Sequence, residues 1–375
     1  MMRFTTLMRQ PADWMAGKGG DNSVVLTSRI RLARNLDGEP FPGWAPKSRR
    51  QGIFKKLRGA VESLPVMKDG FSQELGTLEA VRKQVLVERH LISRELAARG
   101  AACGVVVDRR QNFSFLLNEE DHLRMQAIRT GLALEDAFAA IDKQDDALAG
   151  RLDFAFDAQF GYLTACPTNL GTGLRASVML HLPGLVLSDL AGKVLNGVGK
   201  LGLAVRGIYG EGSESLGNLF QISNQSTLGE SEAEIIRRLG RVAADIAGHE
   251  RNAREKLFEE APGMVSDRVG RAYGVLRHAW MIETKEALQH LSMLRLGGDL
   301  GVLGPETVAC CDALLLEIQP AHLQFLSGGN LTPEKRDAIR AEMIRSRLQS
   351  LQAPVTHRAD EAGGEPPEDD NIPEP

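Results

Sequence analysis

Residues 175–182 read RASVMLHL, and the alternation in this stretch decides the fold class. Successive side chains of a β-strand point to opposite faces, so every second residue from Ala176 to Leu182 shares one apolar face. Arg175 and His181 belong to the other face. Such a pattern predicts a strand that buries one face and leaves the other open.

The stretch TSRIRLARN at residues 27–35 repeats the alternation with a stronger charge contrast. Arg29 and Arg31 are two residues apart and share a strand face, opposite Ile30 and Leu32. We therefore predict a second strand, which presents two guanidinium groups from a regular surface.

A hairpin is predicted around the stretch NEEDHLRMQ at residues 118–126. Strand-like residues 113–117 and 123–128 flank a polar turn. Glu119 and Glu120 are thus expected at the tip, and Arg124 follows them on the second strand.

Shifts in periodicity divide the chain. Ser231 and Glu234 form a capping box that opens a helix, and the pattern from residue 256 onwards is helical. We predict a lead-in at 1–23, a mixed α/β part at 24–255, an all-helical domain at 256–352 and a disordered tail at 353–375. The tail holds seven acidic residues and five prolines but almost nothing apolar.

Composition excludes several classes of protein. With 45 Lys and Arg against 49 Asp and Glu in 375 residues, the net charge is −4, which is unlike a nucleic-acid-binding protein. No apolar run approaches the roughly 18 residues of a membrane span, and the first residues lack a signal-peptide core. The four cysteines lack zinc-ligand spacing. We expect a soluble cytoplasmic protein with no bound metal of its own, no nucleic-acid partner and no membrane contact.

Arginines on extended segments are the strongest chemical signal. Guanidinium groups that converge from several strands can clamp a polyphosphate through forked hydrogen bonds. Unrelated surface arginines are the alternative interpretation. The candidates, called the arginine cluster below, are Arg29, Arg31, Arg124, Arg175 and Arg206.

Carboxylates on turns supply a second signal. Glu120 lies on the hairpin tip, and Glu211 lies between Gly210 and Gly212. Two carboxylates can grip a planar guanidinium while one accepts the proton lost when nitrogen attacks phosphorus. Solvated turn residues are the alternative. Cys166 precedes a glycine-rich turn that could stabilise a thiolate, or it is simply a strand-end cysteine.

Four stretches together resemble the ATP:guanido phosphotransferase family: residues 27–35, 118–126, CPTNLGTGLRASVM at 166–179, and RGIYGEGSESLGNLFQISNQ at 206–225. The resemblance covers roughly residues 22–255. It implies an α+β fold with an antiparallel sheet flanked by helices. It also implies MgATP as phosphoryl donor and a guanidinium nitrogen as acceptor.

The resemblance also assigns roles to residues of this sequence. It implies that Glu120 and Glu211 hold the guanidinium and that Cys166 is the reactive cysteine of the family. Nucleotide contacts would come from Thr27, Ser28, Arg29, Ile30, Arg31, His90, Arg124, Arg175, Ala176, Ser177, Val178, Met179, Arg206, Gly207, Ile208, Tyr209, Gly210 and Glu211.

Within the family, the arrangement resembles the bacterial kinases that phosphorylate arginine side chains in proteins. Only 27 residues precede Ser28, whereas kinases of small guanidino compounds carry a helical domain there. A further match is RDAIRA, whose family counterpart binds phosphoarginine; a charged helix face is the alternative interpretation. Its members are Arg336, Asp337, Ala338, Ile339, Arg340 and Ala341.

The resemblance leaves alternatives open and implies partners. Besides a kinase of protein arginine in a stress response, the chain could phosphorylate free arginine or another small guanidino compound. It could also be a phosphoarginine-binding adaptor without catalysis. The family implies protein substrates with exposed arginines, a zinc-containing activator protein, a Clp-type protease and a homodimer.

Overall fold

The computed structural model describes residues 1–15, 22–207 and 216–354. Within these ranges, eight strands form one sheet in the order β2-β3-β4-β5-β1-β8-β10-β9, and each pairing is antiparallel. A two-stranded ribbon, β6-β7, lies apart. The strands are β1 Val25–Arg34, β2 Phe71–Glu74, β3 Gly104–Val107, β4 Phe113–Leu117, β5 Leu123–Thr130, β6 Phe156–Asp157, β7 Gly161–Tyr162, β8 Leu174–His181, β9 Leu203–Gly207 and β10 Leu219–Asn224.

Helices flank the sheet and form the C-terminal part of the chain, so the predicted fold class is confirmed. They are α1 Phe4–Arg9, α2 Lys47–Glu62, α3 Ala80–Glu88, α4 Arg94–Ala98, α5 Leu134–Ala149, α6 Pro183–Leu187, α7 Ala191–Lys200, α8 Glu232–Glu260, α9 Pro262–His278, α10 Thr284–Asp299, α11 Glu306–Glu317, α12 Pro320–Leu326 and α13 Pro333–Leu348.

The two faces of the sheet have different cover. Ile30, Val178 and Ile222 belong to the largest core, together with residues of α2, α5 and α8. The opposite face is covered at its β2-β3-β4 end by a second core that includes Val105, Leu116 and residues of α3 and α4. Over the central strands this second face is left for polar side chains.

Helix α8 joins the two parts of the chain. The predicted capping box is present, because the Ser231 side chain accepts from the Glu234 backbone N–H while the Glu234 carboxylate accepts from the Ser231 backbone N–H. The helix runs on to Glu260, so the predicted boundary at 255/256 falls inside it. Its last turns place Leu257 and Phe258 against the core of the helical domain.

The N-terminal segment is packed, although the sequence suggested only a lead-in. Phe4 is 6% exposed and meets Phe71 and Phe325 edge to face, with ring centroids 5.9 and 5.2 Å away. Since Phe325 belongs to α12, this segment bridges the sheet and the helical domain. Of the predicted tail, residues 355–375 lie outside the described residues.

Candidate active site

The arginine cluster lies on one face of the sheet. Residues that face each other in an antiparallel pair project to the same side. Arg29 is opposite Ser177, Arg31 is opposite Arg175, and Arg206 is opposite Gln221 on β10. Arg124, paired with Ala33, follows the same alternation. The period of two in the sequence thus brings together five guanidinium groups from four strands.

Arginines of the cluster lie close enough together to lower one another's pKa. Burial, together with the charges of Arg175 and Arg124, lowers the pKa of Arg29 to about 10. Burial and the same kind of repulsion hold the pKa of Arg31 well below its ordinary value. The buried Nε of Arg31 has no hydrogen-bond partner among the described residues. Such a site favours a polyanion, which would supply the missing charge and acceptors.

Carboxylates gather around Arg124 at one end of the cluster. Arg124 Nη1 lies 2.6 Å from Glu119 Oε2, and its Nη2 lies 3.1 Å from Glu120 Oε2. Although burial lowers the pKa of Arg124, the charges of Glu119, Asp121 and Glu120 raise it above its ordinary value. Arg124 therefore stays cationic beside the hairpin tip.

The two glutamates of the tip differ in accessibility. The Glu119 side chain is 1% exposed and also accepts a short hydrogen bond from Ser93 Oγ, whereas the Glu120 side chain is 47% exposed. Glu119 thus fixes Arg124 from within the protein. Glu120 is the carboxylate that an incoming guanidinium can reach.

At the other end of the cluster, Arg29 forms hydrogen bonds with uncharged side chains. Arg29 donates to Ser177 Oγ at 3.4 Å and to Gln221 Oε1 at 3.1 Å. Burial and the charge of Arg29 lower the pKa of His90 to about 4, so this imidazole is neutral near pH 7. Thr27 and Met179 are paired on β1 and β8 next to it.

Several predicted nucleotide contacts point away from the arginine cluster. Ser28 is fully buried on the other face, where its hydroxyl donates to Gly131 O at 2.8 Å and accepts from the Ala133 N–H. The side chains of Ile30, Ala176 and Val178 pack in the core of that face. These four side chains stabilise the sheet and do not face the arginine cluster.

Cys166 and the segment from Gly207 to Glu211 complete the predicted site residues. Cys166 is half-buried, and its Sγ lies 3.0 Å from Thr168 Oγ1. Both Cys166 and Gly207 line a cavity that also contains the arginine cluster. Ile208, Tyr209, Gly210 and Glu211 lie outside the described residues.

A cavity of about 1290 Å³ opens over the arginine cluster. The sheet forms its floor, and the hairpin tip with Ser93 forms one side. The helical domain forms another wall, which sequence reasoning missed because only tertiary packing brings residues of α10, α11 and α12 to the cavity. Residues of this wall include Thr284, Lys285, Leu315, Leu316, Gln319 and Gln324.

Two residues of the RDAIRA motif on α13, Arg340 and Ala341, are buried. Arg340 is 1% exposed, and it donates to Ile318 O at 2.9 Å, to Ile282 O at 2.8 Å and to Asp337 Oδ1 at 2.5 Å. Ala341 is buried, whereas Arg336, Ala338 and Ile339 are partly exposed. The structure therefore does not present Arg336 and Arg340 together to solvent, and phosphoarginine binding here stays a prediction.

The described residues do not by themselves form a site for a resident metal. No group of three or more His, Cys, Asp or Glu side chains in ranges 1–15, 22–207 and 216–354 could hold an ion. Glu119 and Glu120, which line the cavity, pair with Arg124.

An antiparallel sheet that carries an arginine-lined cavity, with an accessible carboxylate at one end, defines a site of the guanidino-kinase type. Solved structures support the fold. A duplicated taurocyamine kinase from Schistosoma mansoni matches with a TM-score of 0.57 and 24% identity over 67% of this chain and 36% of that one. A lombricine kinase matches with a TM-score of 0.56 and 25% identity over 64% of this chain and 71% of that one.

Sequence comparisons narrow the class. The family described as "ATP:guanido phosphotransferase, C-terminal catalytic domain" matches residues 52–253, and "Protein-arginine kinase McsB C-terminal domain" matches residues 262–359. The protein-arginine kinase of Halothermothrix orenii is 48% identical over 89% of this chain and 96% of its own length. That of Moorella thermoacetica is 47% identical over 91% and 98%. The chain belongs to the ATP:guanido phosphotransferase family, within its protein-arginine kinase branch.

Proposed function

We propose that this enzyme transfers the γ-phosphoryl group of ATP to arginine side chains of proteins. The observation that carries the proposal is the cationic cavity with Glu120 exposed at its end. Similarity over nearly the full length of proteins named protein-arginine kinase supports the choice of acceptor. Residues 262–359 match the "Protein-arginine kinase McsB C-terminal domain", and residues of this part form a wall of the cavity.

Transfer is an in-line displacement at the γ-phosphorus. A guanidinium nitrogen forms the new N–P bond, the bond from phosphorus to the bridging oxygen of ADP breaks, and the nitrogen loses one proton to the Glu120 carboxylate. The arginine cluster neutralises the charge on the phosphate oxygens as it develops. When Mg²⁺ accompanies the nucleotide, it supplies further charge neutralisation on those oxygens.

The ion pair between Glu120 and Arg124 suggests how substrate binding prepares the site. In this structure Arg124 occupies the Glu120 carboxylate. A γ-phosphate that binds Arg124 offers it a stronger anionic partner. Glu120 is then available for the substrate guanidinium, whose geometry resembles that of the arginine it replaces.

Transfer assays with labelled ATP test the acceptor. The enzyme is given free arginine, an unfolded protein that contains arginine, or the same protein with lysine at each arginine position. We expect acid-labile label only on the arginine-containing protein. Transfer only to free arginine contradicts the proposal and favours a small-molecule kinase. If the protein transfers no phosphate but binds phosphoarginine, the result favours an adaptor.

Glu120→Gln tests the proposed base. Glutamine keeps the size of the side chain but accepts no proton, so turnover should fall about 10²–10⁴-fold while the KM for ATP changes less than about twofold. Glu135→Gln is the matched control, because Glu135 is exposed in the first turn of α5. Unchanged turnover of Glu120→Gln would contradict this role.

The wider proposal concerns the cellular setting. We propose a cytoplasmic stress-response kinase whose phosphorylated products pass to a Clp-type protease, with a zinc-containing activator and a homodimer through the helical domain. The family resemblance supports it. Separately, no helix in the part of the chain that the structure describes is long and apolar enough to cross a membrane.

A further inference from the structure

Trp14 lines the cavity, and its indole N–H has no hydrogen-bond partner in the described part of the chain. The residue is 7% exposed, and it lies in a short 3-10 turn, Asp13–Met15, of the N-terminal segment. Its Nε1–H is buried. Buried tryptophan N–H groups usually have a partner, so this donor points to a ligand.

The surroundings hold the indole ring in place. Its ring meets the His90 ring edge to face, with centroids 5.9 Å apart. Its main-chain carbonyl accepts from Thr130 Oγ1 at 3.0 Å, and its side chain packs with Ile128 and Leu316. Contacts with strand β5 and with α11 therefore fix both the backbone and the ring.

Position along β1 relates Trp14 to the phosphate site. Trp14 lines the cavity together with Thr27 and Met179, while Arg31 and Arg124 lie towards the carboxylates. Thr27 and Arg31 are four residues apart, or about 13 Å along a strand. A nucleotide with its γ-phosphate at Arg31 and Arg124 and its other phosphates at Arg29 directs its base towards Thr27.

Shape and chemistry suit a purine at this end. The neutral imidazole of His90 and the thioether of Met179 line the cavity together with Trp14 and offer apolar surface for an aromatic base. The indole N–H only donates, and adenine ring nitrogens only accept.

We propose that Trp14 positions the nucleotide through the edge of its indole, whose Nε1–H donates to a ring nitrogen of the adenine. The inference rests on the proposed function, since it takes ATP as the donor. It assigns a nucleotide contact to the N-terminal segment, outside the strands that carry the arginine cluster.

Trp14→Phe tests the contact while it preserves most of the packing. Loss of one hydrogen bond and part of the ring surface should raise the KM for ATP about threefold to tenfold, with kcat within twofold. Inhibition by tripolyphosphate, which has no base, should be unchanged. A general distortion of the site would weaken both ligands, so equal losses would overturn the inference.

Fluorescence gives a second measurement that leaves Trp14 in place. Trp44 and Trp280 are 88% and 84% exposed, and the double variant Trp44→Phe/Trp280→Phe leaves Trp14 as the only tryptophan. ATP should change its emission in a saturable way, whereas tripolyphosphate should not. This measurement decides the question if Trp14→Phe does not fold.

The outcomes separate the inference from the kinase proposal. Suppose that the wild-type enzyme phosphorylates protein arginine, that ATP does not change the Trp14 emission, and that Trp14→Phe has the same KM for ATP as the wild type. The inference is then overturned and the kinase proposal stands. If the wild-type enzyme binds no ATP, both are overturned.

Discussion

Arg340, a charged residue of the RDAIRA motif, has a structural role. Its guanidinium is buried and joins α13 to the carbonyl of Ile318 at the end of α11 and to that of Ile282 before α10. It also pairs with Asp337. Removing it would leave two carbonyls and a carboxylate without their donor, which costs more than the loss of a surface charge.

Substitutions at positions 336 and 340 therefore have different expected effects. Arg340→Ala should lower the free energy of unfolding by about 2–4 kcal/mol. Arg336→Ala, at a partly exposed position, should change the free energy of unfolding by less than about 0.5 kcal/mol. If the motif binds phosphoarginine, the same variant should lose phosphoarginine binding while basal phosphoryl transfer persists. Denaturant titration measures the first effect and phosphoarginine binding the second. Equal stabilities, or normal phosphoarginine binding by Arg336→Ala, would each refute one half of this assignment.

At the scale of elements, the turn before β8 sets where that strand begins. Gly173 has φ +65°, and a Cβ there would lie 2.6 Å from Ala33 O on the neighbouring strand. A side chain is thus excluded both by backbone conformation and by space. The turn connects Cys166 to Arg175, so its geometry decides how both residues meet the cavity.

Gly173→Ala should displace the start of β8. We expect a loss of about 1–3 kcal/mol in stability together with a rise in the KM for ATP, because Arg175 moves with the strand. Gly197→Ala is the control: Gly197 lies inside α7 with nothing within 4 Å of a Cβ, and alanine there should stabilise by up to about 1 kcal/mol. Thermal melts and nucleotide kinetics of the pair test the comparison, and a Gly173→Ala enzyme as stable as Gly197→Ala would refute it.

The strands and the arginine cluster follow from the sequence because period-two alternation is a local property. The hairpin at 113–128 and the shared face of Arg29 and Arg31 appear in the structure as predicted. Trp14 could not be found in this way, since its burial depends on Leu316, about 300 residues further along the chain. Burial of the Arg340 side chain likewise depends on packing between helices that no local pattern reports.

At the scale of the whole molecule, buried ionic groups attach the helical domain to the sheet. Arg295 is 1% exposed and donates to Asp312 Oδ1, to Asp299 Oδ2 and to the carbonyls of Asn22 and Ser23, just before β1. These contacts lie beside the cavity wall that the helical domain forms. Loosening this junction should disturb both stability and the nucleotide site.

His181, at the end of β8, lies inside this junction. Its Nε2 is 2.8 Å from Ser292 Oγ, and its Nδ1 faces the guanidinium groups of Arg295 and Arg254 at 3.3 and 3.5 Å. Nδ1 therefore acts as an acceptor, and the ring is neutral. Burial first, and then the charges of Arg295 and Arg254, hold the pKa of His181 well below 6.5.

The lowered pKa gives the junction a defined pH dependence. Because unfolded His181 binds a proton below about pH 6.5 and the folded form does not, its contribution to stability is present above that pH and declines as pH falls below it. Between pH 6.5 and 5.5 this loss should be about 1 kcal/mol. His181→Gln can still donate to Ser292 and accept from the arginines, but it does not titrate. Denaturant titrations from pH 8 to 5.5 should show a shallower decline for the variant; parallel curves would mean that His181 keeps an ordinary pKa inside the junction.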